Sequence, residues 1–452
     1  MIDTMNKTWI VTLLMGVSLA SAQTPVSEML QEISTSPSAE RIEKDIRKLV
    51  DFGTRHTLSD TVSEERGIGA ARRWIKSEFD MISDQCDNCL EVFYHSAVEP
   101  KNDRRITRDT KIVNVVAIQR GSVFPDRYVI MSGDIDSRVS DVNNYTSDSP
   151  GANDNASGMA GTIEAARVLS KYDFPVSIVY VGLSGEEQGL YGGKHLAKKA
   201  KNEGWDIIGI INNDMIGNIH GIDGVVDNGT FRVFSEAMSM TLTEKEKRAM
   251  RFYGGEVDGP SRQLARYIDR ITDEYMTNLD AIMIYRLDRF GRGGHHRPFN
   301  DEGFTGVRIM ETHENYNRQH QDLREEDGIQ YGDVIEWVDF DYAARLTAVN
   351  ALTLAALASA PEAPKNLSIG GAVQPSTRLQ WDASDDPTLA GYKVYWRKTT
   401  SPQWEHSTYI GKKNSHVLEN LVIDNYLFGV SSVGSNGAES LVTFPYKLIP
   451  RD

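Results

Sequence analysis

Carboxylates recur in this chain at one kind of place, just past short apolar runs and among small residues. Asp134 and Asp136 follow Gly133, and Asp154 lies in Gly151-Ala152-Asn153-Asp154-Asn155-Ala156-Ser157-Gly158. Glu186 and Glu187 lie in Ser184-Gly185-Glu186-Glu187-Gln188-Gly189, and Asp214 in Asn213-Asp214-Met215-Ile216-Gly217. If the apolar runs are neighbouring strands, up to six carboxylates point into one crevice. Like charges that close cannot all stay ionised in a shielded site. Either several protons are retained or cations neutralise them, and divalent ions are the simpler solution, because carboxylate and imidazole are their ordinary ligands. Taken singly, such an Asp caps a helix or closes a turn, and a Glu-Glu pair is commonly solvated surface. The recurrence beside Gly or Ser, each time after an apolar run, is what points to bound metal.

The elements that must position these groups alternate. Residues 38–50 place Ile42, Ile46, Leu49 and Val50 on one helical face, and a second helix is predicted over 68–81. Short apolar strands are predicted at 128–133, 176–183, 207–211 and 306–310, with helices at 158–169 and 190–200. Unbroken apolar strands between helices describe an α/β fold, a mostly parallel central sheet covered by helices on both faces. Such sheets hold ligands at the carboxyl ends of their strands. Residues 230–290, with a helix opened by Asp258-Gly259-Pro260, read as sheet-covering or lid material. Pro361-Glu362-Ala363-Pro364 is a stiff linker, and the short β-prone pieces after it predict a β-sandwich. The expected division is 1–22, 23–360 and 361–452.

Bulk properties narrow the class. With 452 residues, 40% hydrophobic and 25% charged, the chain is that of a globular protein with more than one core. A formal charge of -15 argues against nucleic acid as a partner. Lys7, the apolar run over 9–20 and the ending Ala20-Ser21-Ala22 read as a signal peptide, hence export to a periplasm or the extracellular space. That run is short for a bilayer, so no stable membrane insertion is expected. Cys86 and Cys89 form a short-loop disulfide in an oxidising compartment. A redox pair would need its own fold, and two cysteines alone make a poor zinc site.

The three acidic motifs, in this order and spacing, resemble those of the co-catalytic zinc exopeptidases, the family of bacterial leucyl aminopeptidases and glutamate carboxypeptidase-like proteins. The resemblance spans Phe52-Gly53-Thr54-Arg55-His56 to about Ala360. It implies two divalent ions, zinc in the first instance with manganese or cobalt as alternatives. Asp154 would bridge them, Glu187 and Asp214 would each bind one, and Glu186 would be the general base. The family closes its site with a late His near a Tyr, which nominates His320 in Asn315-Tyr316-Asn317-Arg318-Gln319-His320, with His313 as runner-up. Tyr316 or the Tyr285 region would supply a hydrogen bond to the tetrahedral intermediate. The chain departs from the family twice. Where the family has His-x-Asp, this sequence has Asp134-Ile135-Asp136. Asp134 then either ligates through oxygen, with Asp136 holding a neighbour in place, or leaves one metal position weak. Where the family has an Asp before the residue corresponding to His296, His295 stands. Arg292, His295, His296 and Arg297 are expected on the substrate side of the crevice.

The implied activity is that of a metallo-aminopeptidase acting on peptides or small proteins. Two ions about 3.5–4 Å apart would acidify a water and polarise the scissile carbonyl, with Glu186 moving the proton. One rival is a single-zinc glutaminyl cyclase-like acyltransferase, kept open by Asp134. The other is a decayed binding protein, against which Glu186 and Asp154 both stand. Residues 361–452 resemble fibronectin type III, most typically in Gly391-Tyr392-Lys393-Val394-Tyr395.

Overall fold

The structure, a computed structural model, describes residues 28–102 and 104–449. The expected signal peptide lies outside them. Eight strands form the central sheet: β1 (Leu90–Glu99), β2 (Thr110–Gln119), β3 (Phe124–Asp134), β4 (Val176–Leu183), β5 (Asp206–Asn213), β6 (Thr230–Ser235), β7 (Asp280–Ile284) and β8 (Gly306–Glu311). Their order is β1-β2-β4-β3-β5-β8-β6-β7. The middle four, β4-β3-β5-β8, are mutually parallel, while β1, β2 and the β6–β8 pairing are antiparallel. Four carboxyl ends therefore share one edge of the sheet, where open α/β sheets bind their ligands.

The apolar strands are buried on both faces because side chains alternate with a period of two. Val129 and Met131 of β3 and Ile178 and Tyr180 of β4 enter one core, with the helices Gly158–Leu169 and Phe340–Ala358. Tyr128, Ile130, Val179 and Val181 enter the opposite core, with Leu196, Ala197 and Ala200 of the helix Tyr191–Glu203. At the rim, Gly133 lets the helix Gly158–Leu169 approach β3 closely. A Cβ there would lie 2.5 Å from the Gly158 carbonyl carbon.

The strands and helices read from apolar periodicity are present within a few residues. Residues 230–290 differ from expectation. They do supply helices, Glu244–Tyr253 and Pro260–Tyr275, but also β6 and β7, which extend the sheet rather than cover it. β7 is the edge strand, only 5 residues long with mixed exposure, so its apolar signal is weak. The same holds for β1, the opposite edge strand, which buries fully only Leu90.

Beyond the hairpin β9 (Arg324–Glu326) and β10 (Ile329–Tyr331), seven short strands follow: β11 (Ser368–Gly370), β12 (Thr377–Gln380), β13 (Leu389–Lys398), β14 (His406–Gly411), β15 (Ser415–Leu418), β16 (Tyr426–Gly434) and β17 (Lys447–Leu448). They make two sheets, β15-β12-β11-β17 and β14-β13-β16. Leu379, Trp381, Tyr392, Val394, Phe428 and Val430 form their common core. This sandwich is bolted to the helix Pro260–Tyr275. Arg397 and Arg266 both bind the buried Asp258 at 2.8 Å, and Arg270 binds Glu439 at 2.9 Å. Cys86 and Cys89 are joined as a disulfide just after the helix Gly67–Gln85.

Candidate metal centre

Three of the nominated residues converge from separate elements. Asp154 lies in the turn before the helix Gly158–Leu169, Glu187 follows β4, and His320 follows β8 in a long loop. One donor atom from each lies within 4.8 Å of the other two. His320 Nε2 is 2.8 Å from Asp154 Oδ2 and 3.0 Å from Glu187 Oε1. That Glu187 oxygen is buried and makes no hydrogen bond. Two carboxylates and an imidazole arranged in this way are a donor set suited to zinc.

The loops are held in place at some cost. His320 has φ 55° and Met215, immediately after Asp214, has φ 63°, left-handed conformations that cost a non-glycine residue about 1–2 kcal/mol. Asp333 steadies the Asp154 turn by accepting from the N–H of Asn153 at 2.9 Å and of Asp154 at 2.6 Å. Arg138 donates to Glu187 Oε2 at 2.7 Å and lies 2.8 Å from His320 Nδ1. Burial raises the Glu187 carboxyl, but the His320 and Arg138 charges outweigh it and hold Glu187 well below the usual range. Burial lowers His320, and the charges of Glu187 and Asp154 outweigh that, taking it up to about 9.

On the other side of Asp154 the chain brings Asp134 and Asp214. Asp134, at the end of β3, accepts from Asn155 Nδ2 at 2.7 Å and pairs with His295 Nδ1 at 2.5 Å. Asp214 pairs through Oδ2 with Arg308 at 2.9 Å, and Arg308 also binds Asp288 at 2.9 Å. Burial pushes Asp134 up to about 8 and Asp214 up to about 7. Burial and mutual repulsion thus disfavour charge on both carboxyls, a penalty that a cation among them would offset.

Glu186 stands beside the cluster with a carboxyl that makes no hydrogen bond or ion pair to another described residue. Burial, then the charges of Glu187, Asp214, Asp134 and Asp154, raise it well above the ordinary carboxylate value. Asp136 sets its place, accepting from the N–H of Glu186 and of Glu187, each at 3.1 Å.

Several expectations need correction. Asp136 holds its neighbours through the backbone, accepting from the N–H groups of Glu186 and the ligand candidate Glu187, and Thr57 Oγ1 donates to it at 2.8 Å. His295 and His296 are fully buried and do not line the crevice. His295 is spent on Asp134, and His296 Nε2 faces Leu287 O at 2.8 Å with Asp288 beside it. Arg297 lies beneath the rim, its Nη1 on Arg292 O at 3.3 Å. Arg292 itself is at the rim, exposed, with Nη2 3.3 Å from His320 Nδ1. Tyr316 is exposed nearby in sequence. Tyr285 belongs elsewhere, its hydroxyl donating to Pro402 O at 3.2 Å. His313 sits with Asp223 and Asp227.

Arg138, Arg308, Asp333 and Asn155 were not singled out from sequence. Only Arg308 left a signal, as a charge inside the apolar run Gly306-Val307-Arg308-Ile309-Met310. The others act through contacts distant in sequence.

A mostly parallel sheet carrying a carboxylate–imidazole cluster at the carboxyl ends of its strands has the form of a metallopeptidase. Comparison agrees: residues 114–340 match the model of Peptidase family M28. A probable zinc metalloprotease of Leptosphaeria maculans is 42% identical over 96% of this chain and 100% of its own. One of Pyricularia oryzae is 40% identical over 94% of this chain and 86% of its own. The chain belongs to peptidase family M28. The Legionella pneumophila LapA aminopeptidase structure, at 17% identity, superposes with a TM-score of 0.53 over 75% of this chain and 76% of that one, a likeness of fold.

Proposed function

We propose that the protein is a zinc aminopeptidase that uses two ions. The observation that carries this reading is the convergence of Asp154, Glu187 and His320 within 4.8 Å, beside a Glu186 carboxyl left unbonded. In this reading Asp154 is shared, Glu187 and His320 complete one position, and Asp134 and Asp214 complete the other. Asp214 Oδ1 has no hydrogen-bonding partner among the described residues, so it is free to ligate while Oδ2 stays on Arg308. When bound, zinc supplies an acidified water and polarises the scissile carbonyl.

Glu186 accepts the proton released and returns it to the leaving amine, work suited to a carboxyl whose affinity for protons burial has raised. Arg292, exposed and without an acidic partner among the described residues, faces substrate at the rim. The acidic crevice suits the cationic amine of a free N-terminus, which favours an aminopeptidase. Residues 361–452 are read as a fibronectin type III-like module bracing the helix Pro260–Tyr275. Residues 1–22 are read as a signal peptide for export, and the Cys86–Cys89 disulfide supports an oxidising destination. Among the described residues no helix is long and apolar enough to cross a membrane.

The test is hydrolysis of amino-acid amides before and after chelation, with zinc, manganese or cobalt then returned, and N-acetylated amides as controls. Loss on chelation, recovery with zinc and resistance of the blocked substrates are expected. Activity indifferent to chelation, with no metal found by elemental analysis, ends the reading.

A further inference from the structure

The two places where this chain departs from the family's pattern, positions 134 and 295, are side by side in the fold. Asp134 Oδ1 lies 2.5 Å from His295 Nδ1, with side-chain exposures of 1% and 0%. The surroundings are shaped for an imidazole at 295. A Cβ on Gly193 would lie 2.7 Å from His295 Cδ2, so the helix Tyr191–Glu203 reaches the ring only because it has glycine there. The His295 N–H donates to Asn212 Oδ1 at 2.9 Å, which anchors the backbone. His295 Nε2 is buried without a partner, so the ring's one polar engagement is with Asp134.

The contact explains why the two residues go together. An Asp at both positions would press two carboxylates into contact without solvent, and a buried carboxylate with no partner costs several kcal/mol, on the order of the penalty for breaking a buried pair. With His295 on Oδ1 and Asn155 Nδ2 on Oδ2 at 2.7 Å, the Asp134 carboxylate is held at both oxygens. Each oxygen keeps a second lone pair, which is what an oriented carboxylate ligand needs from its supports.

We infer that Asp134 and His295 are a ligand-and-support pair in which the residue types, not the roles, are exchanged. Asp134 is the ligand, in company with Asp154 and Asp214, and His295 is the positioning residue that aims it. The inference rests on the two-ion reading above.

Zinc content after equilibrium dialysis and zinc titration calorimetry test it, in the full chain and without reference to turnover. The native protein is expected to take two equivalents. His295→Leu should hold the second about 10–100-fold more weakly and keep the first. His295→Gln, which retains a side-chain N–H, should recover part of the loss. Asp134→His should weaken the same equivalent, and Asp134→His combined with His295→Asp should restore it. If His295→Leu fails to fold, the double exchange decides. A double variant no better than Asp134→His alone overturns the pairing. So does a folded His295→Leu with two equivalents at native affinity, which leaves the two-ion reading intact. A single equivalent in the native protein overturns both.

Discussion

The backbone N–H of Glu186 donates to Asp136 Oδ1 at 3.1 Å, so the carboxylate two residues past the end of β3 places the carboxyl that follows β4. The bond crosses from one strand terminus to the next and leaves the Glu186 side chain free. That freedom is what a proton-transferring group requires.

Glu186→Gln should therefore keep the zinc content of the native protein while kcat falls about 10²–10⁴-fold. Elemental analysis and steady-state kinetics on one preparation check this. Native turnover in the variant rejects Glu186 as the base.

His320→Ala should remove zinc from the position shared with Glu187 and Asp154, since it deletes one of three converging donors. Metal content and activity are expected to fall together. Chelation of the native protein should reproduce the activity loss, and added zinc should reverse it only in the native protein.

Arg308 lies fully buried between Asp214 and Asp288. Arg308→Met leaves Asp214 without its cation and Asp288 with Arg289 at 3.9 Å, a change that costs about 3–5 kcal/mol. Denaturant unfolding of the chelated protein is the measurement, and a loss below about 1 kcal/mol would contradict the pairing.

Glu236 supplies a pH dependence away from the centre. Burial takes its carboxyl from 4.5 up to about 7, against the hydrogen bond from Asn300 Nδ2. The folded protein thus holds a proton there that the unfolded chain releases. Its stabilising contribution is complete below about pH 4.5 and is lost as pH rises through 7. Glu236→Gln should flatten that slope and be the more stable protein at pH 8, by about 2 kcal/mol. Thermal melts across this range check the sign.

Arg397 reaches from β13 to the buried Asp258 ahead of the helix Pro260–Tyr275. The native chain is expected to unfold in one calorimetric transition. Arg397→Met, which leaves Asp258 with Arg266 alone, should separate it into two, the sandwich melting first.

How much of this was legible beforehand follows from what each feature depends on. The strands β3, β4, β5 and β8 are continuous apolar runs, and the residues after them are acidic. Burial on two faces and the chemistry of the rim are both local patterns, so the sequence alone determined the α/β class and the membership of Asp154, Glu187 and Asp214 in one crevice. His320 was within reach only through the family resemblance, which implies a late His near a Tyr and left His313 as runner-up. Tertiary structure alone decided the partnerships. His295 reads as a substrate-side residue until the fold sets it 2.5 Å from Asp134, 161 positions away. Which neighbour Asp136 supports is fixed only when its oxygens are found on the N–H groups of Glu186 and Glu187. A buried charge is satisfied by whichever donor the packing brings to it, and no spacing along the chain encodes that choice.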